Sequence, residues 1–348
     1  MYQLFSNIEL VKKKWDQPES SVFVQFDFLE SFFVHHNNFK HLFLLKDNTR
    51  LYAQVFQFRV DNIKHYSSNK LVFFLLKLLR LETLYLSNSF FTNSTSVYCQ
   101  DKIFLPELIS SIEDKYFMTV IPDSLMDVVS DDHKSNYERV EVEEDMSLEV
   151  DSAWNCLDDY LENLRTKYRK KIKNILKISD RLVIRPLGVS QLTSYKSEIQ
   201  HLFNQVVQDS RFRGPDFNTD TLITMLEKDF LNVYGYFLDD KLEGFATEMQ
   251  HEDLLYSYYV GFNKRLNKSF AIYGRILVET IRNAIKFKKK KIIFGRTANE
   301  FKSNFGAVPN KSYIYIRITN QFLHNLLLPF LRRIKIPFWK QRKPFKFE

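Results

Sequence analysis

From Trp154 onward apolar residues recur at helical spacing: Leu157, Tyr160, Leu161, Leu164, Tyr168, Ile172, Ile175 and Leu176, with Lys and Arg opposite them. The pattern predicts an amphipathic helix running from Trp154 to about Leu176. A second helix is predicted over 272–287, where Ile276, Leu277, Thr280, Ile281, Ala284 and Ile285 share a face. Shorter helical runs fall at 196–207 and 219–230, the latter capped by Asn218 or Thr219. Between them lie strand patterns at 182–186, 233–238, 242–249, 254–262, 291–294 and 313–318. Asp239-Asp240 turns the first hairpin and His251-Glu252-Asp253 the second. A helical turn is expected at 299–304, ending at Gly306.

The first 120 residues read differently. Strand-like runs at 22–26, 42–45, 51–58, 84–86 and 116–121 are broken by polar pairs such as Asp47-Asn48, with helices expected near 28–33 and 71–79. From 122 to 151 the chain is acidic (Asp131, Asp132, Glu141, Glu143, Glu144, Asp145) and reads as a connector plus one strand over 140–150. The order of elements is that of a mixed α/β fold. No short internal repeat is visible, though both halves are strand-rich, as in a duplicated fold.

Composition narrows the class. With 348 residues, 45% hydrophobic and 26% charged, the chain is globular and long enough for two cores. Only 8 glycines leave few tight phosphate-cradling turns, whereas Phe is abundant at 33. Cys99 and Cys156 lie outside any CxxC pattern, so no metal site is expected, and His35, His36 and His41 read as surface residues. Met1 to Trp15 lacks a secretory signal pattern and no stretch reaches the roughly 20 apolar residues of a membrane span, so a cytoplasmic protein is expected. The net charge of +8 is concentrated in basic runs at 165–177, 286–291 and 332–346. Such runs suit phosphate, nucleic acid or anionic membrane, or form solvated helix faces.

Three stretches carry a family resemblance. Tyr160-Leu-Glu-Asn-Leu-Arg-Thr-Lys-Tyr-Arg-Lys-Lys-Ile172 resembles an opening helix, and Gly244-Phe245-Ala246 lies on a strand that leads through 256–262 into the long helix. The third, Phe294-Gly-Arg-Thr-Ala-Asn-Glu-Phe-Lys-Ser-Asn-Phe-Gly-Ala307, is the most specific. Together they resemble the GNAT superfamily, in particular the bacterial Fem-like and peptidoglycan-biosynthesis-type N-acyltransferases. The resemblance implies tandem GNAT-like domains with mixed central sheets flanked by helices. Residues 1–150 are then a degenerate N-terminal domain with the acidic connector, 151–320 the catalytic domain, and 321–348 a basic, apolar tail. It also implies acyl transfer to a primary amine by direct attack. The acceptor is an amino sugar, an amino acid or a cell-envelope precursor. The co-substrate is an acyl-CoA, an acyl carrier protein or an aminoacyl-tRNA, with no tightly bound cofactor.

Two departures stand out. GNAT enzymes that use acetyl-CoA cradle the pyrophosphate in a glycine-rich loop at the start of the long helix. Here that stretch is Arg265-Leu-Asn-Lys268-Ser-Phe270, so side chains such as Arg265, Lys268 and Lys264 would have to hold a phosphate. The Tyr that often protonates the leaving thiolate is replaced, by spacing from Gly306, with Lys302.

Amine acylation needs a neutral attacking nitrogen and support for the oxyanion. Glu248 is the candidate base, with Lys302 and Tyr258 as further catalytic candidates. Tyr256 and Tyr258 are expected on one strand face, with Ser257 and Tyr259 on the other. Arg296 and Thr297 follow an apolar strand, where a guanidinium clamps a carboxylate or phosphate. Tyr273, Tyr168 and Arg169 complete the candidate donor and acceptor contacts. Each has a structural alternative: ion pairs for Glu248 and Arg296, solvent for Lys302, core packing for the tyrosines. The tail from Phe322 to Trp339 mixes apolar residues, cations and Trp. It suits a peripheral position on the inner face of an anionic membrane, or packing on the first domain. The rival readings are a catalytically inactive GNAT-fold binding module, a membrane-surface protein, or a nucleic-acid-binding protein.

Overall fold

The computed structural model describes residues 3–5, 8–15, 20–58, 81–91, 93–99, 104–126, 136–208, 215–331, 336 and 338–346. The helix expected at 71–79 and the acids Asp131 and Asp132 lie outside the described residues. The chain forms two compact units. Unit 1 takes residues 1–142, 211–218 and 312–336, and unit 2 takes 143–210, 219–311 and 337–348.

In order, the elements are β1 (Gln3–Phe5), α1 (Ile8–Trp15), α2 (Phe26–Phe33), β2 (Lys40–Lys46), β3 (Thr49–Gln57), β4 (Glu82–Tyr85), β5 (Val97–Tyr98), α3 (Phe104–Glu113), β6 (Met118–Pro122), α4 (Asp123–Met126) and β7 (Glu138–Glu149). Next come α5 (Leu157–Asn163), α6 (Thr166–Ile178), β8 (Val183–Pro186), α7 (Val189–Ser194), α8 (Lys196–Val207), α9 (Asp220–Glu227), β9 (Asn232–Leu238), β10 (Lys241–His251) and β11 (Leu254–Phe262). The chain continues through α10 (Lys264–Phe270), α11 (Ile272–Lys286), β12 (Lys291–Gly295), α12 (Asn299–Ser303), β13 (Val308–Ile318) and α13 (Gln321–Leu331).

The sheet of unit 1 runs β1-β2-β3-β4-β6-β13, with β5 also on β3, and only β4 and β6 pair in parallel. The sheet of unit 2 runs β8-β9-β10-β11-β12-β7, and only β11 and β12 pair in parallel. The two orders correspond strand for strand, the signature of a duplicated fold. Each sheet also takes its last strand from the other half of the sequence, β13 in unit 1 and β7 in unit 2. That exchange places the boundary inside β7, ahead of position 150, and counts 312–336 with unit 1.

Several expectations change. Residues 22–26 form a 3₁₀ turn leading into α2 rather than a strand, because Phe23, Phe26, Phe28 and Phe32 must all reach one aromatic core. His36 belongs to that core and is not on the surface. It is 2% exposed, its Nδ1 bonds Phe32 O at 2.7 Å and its ring lies 4.1 Å from Phe90. His41 bonds Tyr52 Oη through Nδ1, and burial pushes both histidines down to about 4, so they are neutral. The helix expected from Trp154 to Leu176 is broken at Leu164, which pairs with Phe345 instead.

Unit 2 packs α5, α6 and α11 over one sheet face through Tyr160, Ile172, Ile175, Leu277, Val278 and Ile281. Gly274 in α11 brings that helix close to α6, since a Cβ there would lie 3.0 Å from Ile175. On the β11 strand Gly261 does the same for α8, where a Cβ would come within 2.6 Å of Phe203 N.

Candidate active site

Strands β11 and β12 pair through Leu254↔Lys291, Leu255↔Ile292 and Tyr256↔Ile293, after which no further pairing joins them. Opposite this opening, the register of β10 and β11 slips between Ala246↔Val260 and Glu248↔Ser257, so β11 carries one extra residue. Thr247 stabilises the bulge. Its hydroxyl donates to Tyr259 O and accepts from Tyr259 N, each at 2.9 Å.

The bulge cancels the expected alternation of the tyrosines. Tyr258 and Tyr259 have ring centroids 4.3 Å apart, and their hydroxyls interact with each other. Burial drives both phenols up, so neither loses a proton easily. Tyr259 in turn packs edge-on against Phe203 of α8.

Glu248 points to the α11 side of the sheet and is 1% exposed. Asn283 Nδ2 donates to its Oε2 at 2.9 Å. Burial raises the carboxyl to about 7, while the Asn283 bond opposes the shift and the Glu279 charge adds to it. Thr280 Oγ1 also lies near but makes no hydrogen bond of ordinary geometry. Arg275 is paired with Glu279 at 2.6 Å. Glu248 is therefore a carboxyl poised near neutrality and enclosed between sheet and helix.

The end of β12 is a sharp turn. Gly295, Thr297 and Ala298 have positive φ of 71°, 68° and 52°. Lys302, 4% exposed on α12, turns back beneath it and donates to Phe294 O (2.9 Å), Gly295 O (3.0 Å) and Arg296 O (2.7 Å). An ammonium has three protons, and all three are used on these carbonyls. Burial pulls this lysine down to about 7, against the attraction of Asp145 and Glu143. Arg296 Nε lies 3.7 Å from Asp145 Oδ2 on β7, and Thr297 is exposed. Glu300 on α12 is bound by Arg342.

The segment 264–270 is helix α10, not an open loop. Asn263 caps it by accepting from the N–H groups of Arg265 and Leu266, and Asn267 Oδ1 accepts from Tyr273 N at 2.8 Å in the first turn of α11. One amide that a pyrophosphate cradle would use is thus taken by a side chain. Arg265 and Lys268 are exposed on α10. Tyr273 is sandwiched between Phe262 and Phe301, each ring stacked at 5.4 Å. Tyr168 packs at the edge of the unit 2 core beside Lys167, and Arg169 lies one residue on.

Tyr258 lies on β11 just beyond its last pair with β12, and the Arg296-Thr297 turn follows the end of β12. Glu248 sits in the interior, Lys302 beneath the turn, and Arg265, Lys268, Tyr168 and Arg169 on helices. Sequence reading passed over Thr247, Asn283, Glu143 and Asp145. The two acids stand at alternate positions of the strand expected over 140–150, where their charges were read only as part of an acidic run.

No family model matches the chain, and no curated protein matches it in sequence. Solved structures do match in fold. FemX superposes with a TM-score of 0.56 at 10% identity, over 93% of this chain and 99% of that one. The C-terminal domain (DUF2156) of a putative lysylphosphatidylglycerol synthetase from Agrobacterium fabrum gives 0.52 at 11% identity, over 92% and 94%. L-PGS from Bacillus licheniformis gives 0.53 at 10% identity, over 85% and 90%. The chain shares the overall fold of FemX, with mixed sheets flanked by helices.

Proposed function

We propose that unit 2 transfers an aminoacyl or acyl group to a primary amine at the opening between β11 and β12. The observation that carries this reading is the three-residue parallel pairing that then stops, with the Thr247-held bulge on one side and the Arg296-Thr297 turn on the other. Such an opening admits an extended donor alongside β11, and Arg296 supplies a cation for its carboxylate or phosphate. The acceptor class is an amino sugar, amino acid or cell-envelope precursor, in keeping with the likeness to FemX and lysylphosphatidylglycerol synthetase.

For the donor, an aminoacyl ester of a nucleic acid is favoured over coenzyme A. Helix α10 occupies the place of the pyrophosphate loop, and Asn267 takes the Tyr273 amide. The test is product formation. Wild-type protein is incubated with aminoacyl-tRNA or acyl-CoA and an amine acceptor, and the amide is sought by mass spectrometry. Amide from the aminoacyl donor, lost in Arg296→Ala, supports the reading. Absence of amide with every donor supports the second reading, a binding module. That reading is favoured by the enclosure of Glu248 and by the full commitment of Lys302 to backbone.

A further inference from the structure

We infer that Lys302 is a positioning residue, which sets the Arg296-Thr297 turn from inside and does not itself meet the substrate. The inference rests on the proposed function only for what the turn binds. Its geometric part stands independently.

Positive φ at Thr297 and Ala298 is disfavoured for residues with a Cβ, and two in succession store strain that surrounding structure must hold. Lys302 bonds the carbonyls of Phe294, Gly295 and Arg296 at 2.7 to 3.0 Å. Three consecutive carbonyls converging on one cation define the path of the chain through this turn. Each peptide is trans, so the N–H groups of Arg296 and Thr297 lie on the side opposite the carbonyls that Lys302 binds. Removing the ammonium would leave three carbonyls without their shared donor in a buried place.

A general acid needs a proton directed at the leaving group. Lys302 has none to spare in this arrangement. The charged groups acting on it are Asp145 and Glu143 from β7, and Asp145 also lies 3.7 Å from Arg296 Nε.

The test reads the turn directly by backbone amide hydrogen exchange in the full chain. Lys302→Met should speed exchange at Arg296, Thr297 and Ala298 at least tenfold while leaving β10 amides unchanged. Unchanged exchange at the turn overturns the inference. Wild-type protein offers the same test without a substitution. With exchange corrected for base catalysis, deprotonating Lys302 should loosen the turn along a curve centred near pH 7. A flat profile from pH 6 to 9 overturns it. In a second arm, calorimetry with a non-hydrolysable aminoacyl-adenosine amide compares Arg296→Ala, Lys302→Met and the double variant. A positioning role predicts non-additive losses of affinity, and additive losses contradict it. If exchange responds but the probe binds no protein, the donor reading fails and the positioning inference stands.

Discussion

Asn283 Nδ2 of α11 donates to Glu248 Oε2 of β10 at 2.9 Å, joining helix to sheet through a carboxyl only 1% exposed. The consequence is a pH dependence. The folded carboxyl titrates near 7, above its ordinary 4.5, so between these values the folded state binds more protons than the unfolded state. Stability contributed by Glu248 is therefore full below about pH 4.5 and declines as pH rises towards 7. Glu248→Gln should match wild type near pH 5 and exceed it by on the order of 1–3 kcal/mol at pH 8. Urea unfolding at both pH values checks this, and parallel curves at all pH values would contradict it.

Thr247 offers a cleaner test of the bulge. Thr247→Val keeps the shape but removes both bonds to the Tyr259 backbone. A loss of about 1–3 kcal/mol is expected. Faster amide exchange at Tyr259 should accompany it.

Gly306 sits at φ +93°, and a Cβ there would come within 2.3 Å of Phe345 Cε2. Phe345 belongs to a C-terminal strap, which stacks on Trp154 and is tied by Arg165 N to Pro344 O and by Lys346 N to Asn163 O. Gly306→Ala should destabilise unit 2 by about 1–3 kcal/mol. It should also open the strap to protease cleavage between 338 and 346. Intact resistance would show that the strap is held without Phe345.

Much of unit 2 was legible because its elements carry strong periods. The stripe Ile276, Leu277, Ile281, Ala284 and Ile285 is buried on α11 as read, and the hairpin at Asp239-Asp240 turns where two left-handed Asp residues permit it. The failures have definite causes. Leu164 fits a helical stripe, but its backbone is claimed by Phe345, a partner 181 positions on that no local window sees. Phe23 and Phe26 look like strand residues because Phe favours strands, yet a core of edge-on and tilted rings decides their conformation. At the site, Arg296 was visible as a cation after an apolar strand. The inward turn of Lys302 was not, since sequence does not tell a buried lysine from a solvated one.

Arg296→Ala should leave the fold intact, because the Lys302 side chain, not that of Arg296, bonds the carbonyls of the turn. It should weaken donor binding about tenfold or more. Circular dichroism and titration with the aminoacyl-adenosine amide separate the two effects.

The most direct measurement is a thermal-shift comparison of the non-hydrolysable aminoacyl-adenosine amide with coenzyme A and acyl-CoA thioesters. A ligand that binds only the folded state raises the melting temperature with its concentration. The account predicts a saturable rise with the aminoacyl mimic, absent in Arg296→Ala, and no comparable rise with the thioesters. A rise with thioesters alone would contradict it, and would mean that Arg265 and Lys268 hold the phosphates in place of a glycine cradle.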